Sequence, residues 1–161
     1  MSSKEVKVLF AQVIADFGPA IARVAASFEA NPAIREELIQ DIGLAIWSSI
    51  ESFSGSGTLK GFVLRIAHNK SVDHLAKEAF RNKVTHSEND EKNASTEKND
   101  SMATPYNSSP EIATALTQQQ AKLFSAIRQL SLPLKEVITL LLEDMSYTEI
   151  AALLDISVSN V

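Results

Sequence analysis

Apolar residues recur at helical spacing along most of the chain. Val6, Leu9, Phe10, Val13, Ile14 and Phe17 fall at i, i+3, i+4, i+7, i+8 and i+11, which predicts one amphipathic helix. Gly18-Pro19 is expected to end it, and Ile21, Val24, Ala25 and Phe28 to carry a second helix. Asn31-Pro32 offers an N-cap followed by a proline whose missing N–H costs nothing at the first helical position. A third helix should follow, burying Leu38, Ile42, Ala45 and Ile46. Ser54-Gly55-Ser56-Gly57 is a flexible break. Beyond it, Leu59, Phe62, Val63, Ile66 and Ala67, then Val72 and Leu75, predict a fourth helix.

From Val84 to Pro110 the pattern collapses into Ser, Asn, Thr, Glu, Asp and Lys. Such a stretch buries too little to offset its ordering entropy and reads as a flexible linker. Limited proteolysis should cut there first; a first cut within 36–75 would contradict the boundary. Periodicity returns at Ile112, Leu116, Leu123, Phe124, Ile127 and Leu130. After Leu132-Pro133 come Val137, Ile138, Leu140, Leu141 and Leu142. No strand series or repeat is present. The expected architecture is all-α: two small helical domains, 1–83 and 111–161, joined by a flexible linker over 84–110. In the free protein the two domains are expected to be able to pack together and cover surfaces meant for other partners.

Near the end, Ser146-Tyr147-Thr148-Glu149 is a capping box, in which the serine hydroxyl accepts from the Glu149 amide and the carboxylate reaches back. Ile150, Ala151, Leu153 and Leu154 form the inner face. Asp155-Ile156 makes a short turn, since aspartate tolerates left-handed geometry, and Ser157 is expected to cap a second helix. This is the helix-turn-helix plan, and it would bring Val158, Ser159 and Asn160 to a DNA major groove. A helical hairpin in any bundle fits the same pattern. Val161 falls about one turn into that second helix, which is expected to continue beyond the sequence.

Composition narrows the functional classes. The chain has 161 residues and no cysteine, which removes disulfides, thiolate metal sites and thiol nucleophiles together. No signal peptide is legible, and no apolar run approaches the roughly 18 residues of a membrane span. A cytoplasmic protein without membrane insertion is expected. The net charge is −5, but it is unevenly spread. Residues 60–83 carry six basic side chains against two acidic ones, a local +4, while 84–110 and 111–161 are each −3. A local basic face can attract phosphate within an acidic chain. His68, His74 and His86 do not make a ligand pair, and the Ser54–Gly57 stretch lacks the lysine of a phosphate loop. Glu36 and Glu37 are adjacent and point to different faces. No catalytic activity, metal or cofactor is expected.

Two separated blocks carry a family resemblance. Glu36-Glu37-Leu38-Ile39-Gln40-Asp41-Ile42, ending at Trp47, resembles the "E-D-L-V-Q-E-V" helix of RNA polymerase sigma factors, region 2. In the same register, Phe53, Gly55, Phe62-Val63-Leu64-Arg65-Ile66-Ala67-His68-Asn69 and Val72-Asp73-His74-Leu75 resemble "F-R-G…W-L-Y-R-I-A-R-N…I-D-H-L-R". Glu143 to Ala151, through Ile156-Ser157-Val158, resembles "E-G-L-S-Y-E-E-I-A…I-S-V" of region 4. A short linker without a middle domain points to the extracytoplasmic-function group of the sigma-70 family.

The resemblance implies that the third helix docks on core RNA polymerase through Glu37, Gln40, Asp41 and Leu44, with Trp47 at the edge. It implies that Lys60, Phe62, Asn69, Lys70, His74, Lys77 and Arg81 serve the promoter −10 strand. The cations would meet phosphates, Asn69 and His74 a base edge, and Phe62 either a stacked base or the core. Val158, Ser159 and Asn160 would read −35 DNA. Core RNA polymerase and promoter DNA are thus the expected partners, and an anti-sigma factor fits the group. Phe62 stands where tryptophan is usual and Ala76 where arginine is common. Two other readings remain: a helix-turn-helix regulator with a helical sensor domain, which explains 143–161 but not 36–75, and a helical interaction module without a DNA role.

Overall fold

The computed structural model describes residues 3–86 and 110–161. The described residues are helical, without a strand. Helix α1 spans Ser3–Phe28, α2 Pro32–Ser49 and α3 Leu59–His86, with a short 3-10 turn over Ile50–Ser52 between α2 and α3. Then come α4 Pro110–Arg128, α5 Leu132–Leu141, α6 Tyr147–Leu154 and a single 3-10 turn at Val158–Asn160.

Gly18-Pro19 does not end the first helix, contrary to the sequence expectation. α1 runs unbroken with Pro19 inside it. A proline there withholds one N–H from the helix and crowds the carbonyl four residues back. Burial on both sides of it offsets that local cost: Val6 and Val13 before, Ala20, Ile21, Val24, Ala25 and Phe28 after. Contrary to the expectation that no apolar run approaches spanning length, α1 is long and apolar enough to cross a membrane by length and composition alone. Here it is the central helix, packed against α2, α3, α4 and α5.

Helix α2 starts as its sequence dictates. The Asn31 side-chain oxygen accepts from the amides of Ala33 and Ile34, at 2.9 and 3.3 Å, and Pro32 opens the first turn. Its inner face is Leu38, Ile42 and Ile46. These meet Val63, Leu64 and Ala67 of α3 in the core. Gly55 and Gly57 take positive φ in the connection, which only glycine adopts without strain.

The linker boundary also shifts. α3 continues through Val84, Thr85 and His86, because neither glycine nor proline interrupts 76–86. An i,i+3 pair between Arg81 and Glu78 at 2.9 Å lies along this stretch. At the far side, Pro110 already belongs to α4. The remainder of the expected linker, 87–109, lies outside the described residues, as do the side chains of Ile112 and Leu116. Among the described side chains of α4, Ile127 is buried, whereas Leu123, expected on the inner stripe, is exposed.

The two halves share one core. Leu140, Met145 and Ile150 join the cluster that α1, α2 and α3 build. Thr139 is buried within α5, and its hydroxyl has no hydrogen-bond partner among the described residues. Thr139→Val keeps the shape and removes the orphan group, so it should stabilise the fold by about 1 kcal/mol in a denaturant titration. An unchanged midpoint would mean that the hydroxyl is satisfied in solution.

Candidate functional site

The outer face of α2 carries Glu37, Gln40, Asp41 and Leu44, at i, i+3, i+4 and i+7, and all four are exposed. Leu44 is 65% exposed, unusual for a leucine beside a well-formed core. No ion pair among the described residues engages Glu37 or Asp41. Trp47 lies at the end of the same stripe, exposed but with its ring against Phe10, edge to face at 5.1 Å. The result is an acidic strip with apolar residues at one end, held on a helix whose opposite face is locked into the core.

Helix α3 presents the candidate nucleic-acid side. Asn69, Lys77 and Arg81 are exposed, and Lys60 and Lys70 are partly so. Phe62 packs against Phe53 at 5.1 Å and joins the rim of the core. His74 is less open than expected: its Nε2 lies 2.7 Å from Glu29 Oε2, and both side chains are 14% exposed. In this conformation the ring ties α3 to the end of α1.

In the second half, the capping box forms as its sequence spells it. The Glu149 amide donates to Ser146 Oγ at 3.3 Å, and Glu149 Oε2 accepts from the Ser146 amide at 2.8 Å. The Ser146 amide and hydroxyl, helped by the Lys60 ammonium, hold the Glu149 carboxyl below its ordinary range. A depressed carboxyl stabilises the fold above the ordinary carboxylate range, and this contribution is lost as pH falls through the lowered pKa. Ser146→Ala should cost about 1 kcal/mol in thermal or urea unfolding. A loss within error would mean that the cap is not formed in solution.

Asp155 adopts φ 55° and turns the chain between α6 and the last 3-10 turn. Asp144 does the same after α5, at φ 57°. Ser157 does not cap as expected. Its hydroxyl pairs with Ser159 Oγ at 3.0 Å and makes no capping hydrogen bond, and Val158–Asn160 form a 3-10 turn. Val158, Ser159 and Asn160 are all exposed.

Contacts between the halves were not singled out from the sequence. Arg23 on α1 clasps Glu143 with both ends of its guanidinium, Nε to Oε1 at 2.7 Å and Nη2 to Oε2 at 2.8 Å. Arg128 Nη1 donates to the Ala26 carbonyl at 2.7 Å, one of the last carbonyls of α1 without a partner inside the helix. The Lys135 ammonium sits 5.7 Å over the Phe28 ring; burial, then the nearby Arg128, pushes its pKa down. His68 Nε2 lies 3.1 Å from Glu136 Oε1, and His68 Nδ1 lies 3.2 Å from Asn69 Oδ1.

Two family comparisons fall on these same units. Residues 13–81 match Sigma-70 region 2, and residues 120–161 match Sigma-70, region 4. The chain belongs to the sigma-70 family. The region 4 match is of the kind typical of the extracytoplasmic-function type. A sigma factor of this type binds core RNA polymerase and promoter DNA and directs transcription initiation. The solved structure of CnrH in complex with the cytosolic domain of CnrY has a similar fold. It aligns over 95% of this chain and 77% of that one, at a TM-score of 0.61 and 23% identity. No curated protein sequence matches this sigma factor.

Proposed function

We propose a division of labour between the two domains of the sigma factor, 1–83 and 111–161. The α2 strip of Glu37, Gln40, Asp41 and Leu44, edged by Trp47, docks on core polymerase. Its carboxylates pair with basic residues there, and its exposed leucine is the apolar anchor. α3 then takes the −10 strand. Lys60, Lys70, Lys77 and Arg81 meet phosphates and Asn69 meets a base edge, with His74 joining once it leaves Glu29. Phe62 supports the segment from the rim of the core. Val158, Ser159 and Asn160 start the element that reads −35 DNA.

The observation that carries this reading is the α2 strip itself: an unpaired acidic face with a 65% exposed leucine, on a helix otherwise committed to the core. The protein acts as an initiation factor in the cytoplasm and catalyses no reaction of its own. CnrH, which has a similar fold, is known in complex with the cytosolic domain of CnrY, and an anti-sigma factor is the matching class of partner here. Equilibrium binding of the labelled full chain to core polymerase, with and without a −10 single strand, tests the assignment. Saturable binding to core that then confers DNA binding supports it. DNA binding of equal strength without core would favour the helix-turn-helix regulator.

A further inference from the structure

Asn69 is exposed on α3, and an asparagine amide has nearly the same shape either way round. Turned one way it offers N–H donors, turned the other way an oxygen acceptor. A base edge distinguishes the two, so an asparagine that reads bases gains from a neighbour that sets its amide. His68 is placed to do this. Its Nδ1 lies 3.2 Å from Asn69 Oδ1. The region 2 pattern that this chain resembles has arginine where His68 stands, and arginine has no ring nitrogen to offer there.

The imidazole itself is fixed. His68 is 5% exposed. The Phe28 ring meets it edge to face at 6.4 Å, and its Nε2 lies 3.1 Å from Glu136 Oε1. A carboxylate oxygen and an amide oxygen both accept, so both ring nitrogens donate in this arrangement. Reversing the Asn69 amide would then set N–H against N–H. The amide oxygen is thereby held toward the ring, and the amide nitrogen has no partner among the described residues. The Nδ1 contact lies within α3 and does not need the second domain. Without Glu136, a neutral ring can still keep its hydrogen on Nδ1.

We propose that His68 is a positioning residue for base reading. Its Nδ1–H takes the oxygen of the Asn69 amide and leaves the amide N–H groups to donate to an acceptor atom on a base of the −10 strand. The inference rests on Asn69 reading such a base. His68 affects which base is chosen without touching DNA, because it decides which end of the amide the base meets.

The test lets the full chain, bound to core polymerase, select from a randomised pool of single-stranded DNA. Sequencing then gives the base enrichment at each position. Asn69→Ala should flatten the enrichment at its position by about fivefold or more. His68→Gln keeps a polar group near the place of Nε2 and loses the Nδ1 donor, so it should flatten the same position. His68→Asn puts a donor back near the place of Nδ1 and should restore the enrichment, although it gives up Glu136. A merely structural role would make the two variants alike. Asn69→Asp is isosteric at an exposed position and keeps the test open should His68→Gln fail to fold. It has only oxygens to offer, so the enrichment should be lost. Enrichment kept by Asn69→Asp overturns the outward N–H. Enrichment kept by His68→Gln but flattened by Asn69→Ala overturns the positioning role alone, as does equal flattening by His68→Gln and His68→Asn. Enrichment indifferent to Asn69→Ala overturns the reading of Asn69 itself, and the role of His68 with it.

Discussion

Gln40→Ala combined with Asp41→Lys should weaken association with core RNA polymerase by about tenfold or more, a loss of at least ~1.4 kcal/mol. Both residues are exposed on α2, and neither touches the buried face of Leu38, Ile42 and Ile46. The helix should therefore keep its content by circular dichroism. The lysine places a like charge where a basic partner is expected, and such juxtapositions act through electrostatic mismatch more than through lost area. Titrating labelled sigma factor against core enzyme gives the affinity. An unchanged affinity with intact helicity would remove the docking role from this face and leave it as a solvated acidic strip.

The second large effect concerns α3. Lys70, Lys77 and Arg81, the proposed phosphate contacts, lie on a helix whose far end is exposed all round. Replacing all three by alanine should remove up to three phosphate contacts. The log–log salt dependence of −10 single-strand binding should flatten by about 0.7 per contact. Between 50 and 200 mM salt that makes the fall in affinity roughly twentyfold shallower than for the natural chain. Asn69→Ala should leave the slope alone and reduce preference among bases, because phosphate contacts position and base contacts specify. Arg81 also pairs with Glu78 at 2.9 Å, so its single substitution should move the slope least. A slope indifferent to the triple change would make this stretch an ordinary charged surface.

Local signals were legible where the chemistry is local. Asn31-Pro32 and Ser146 with Glu149 cap their helices as their spacing requires, and Asp155 takes the left-handed turn expected of it. Pro19 misled because a proline's local cost says nothing about burial of Ala20, Ile21 and Val24 beyond it. Ser157 misled because its hydroxyl had a second choice, Ser159, two residues away. The contacts between the two halves were illegible for a different reason. Arg23 and Glu143 are 120 residues apart, and His68 and Glu136 are 68 apart. Nothing in the neighbourhood of a glutamate shows whether it will be solvated or become the buried half of a clasp. His74 illustrates the same limit, since Glu29 meets it from another helix.

Asp144 offers a sharper lesson. The region 4 pattern that this chain resembles has glycine at this position, and here the backbone is left-handed at φ 57°. Asp144→Gly should relieve part of that strain, by about 0.5–1 kcal/mol in unfolding experiments. It should also weaken the hold on Arg23, to which the Asp144 charge contributes. The aspartate sacrifices local stability while adding charge at the contact between domains.

This chain directs transcription initiation. The measurement that meets it head-on is reconstitution of the protein with core RNA polymerase on genomic DNA, followed by sequencing of the transcript 5′ ends. The expected result is a set of new start sites that share −10 and −35 elements and disappear with Gln40→Ala/Asp41→Lys. Starts indistinguishable from those of core enzyme alone would contradict it.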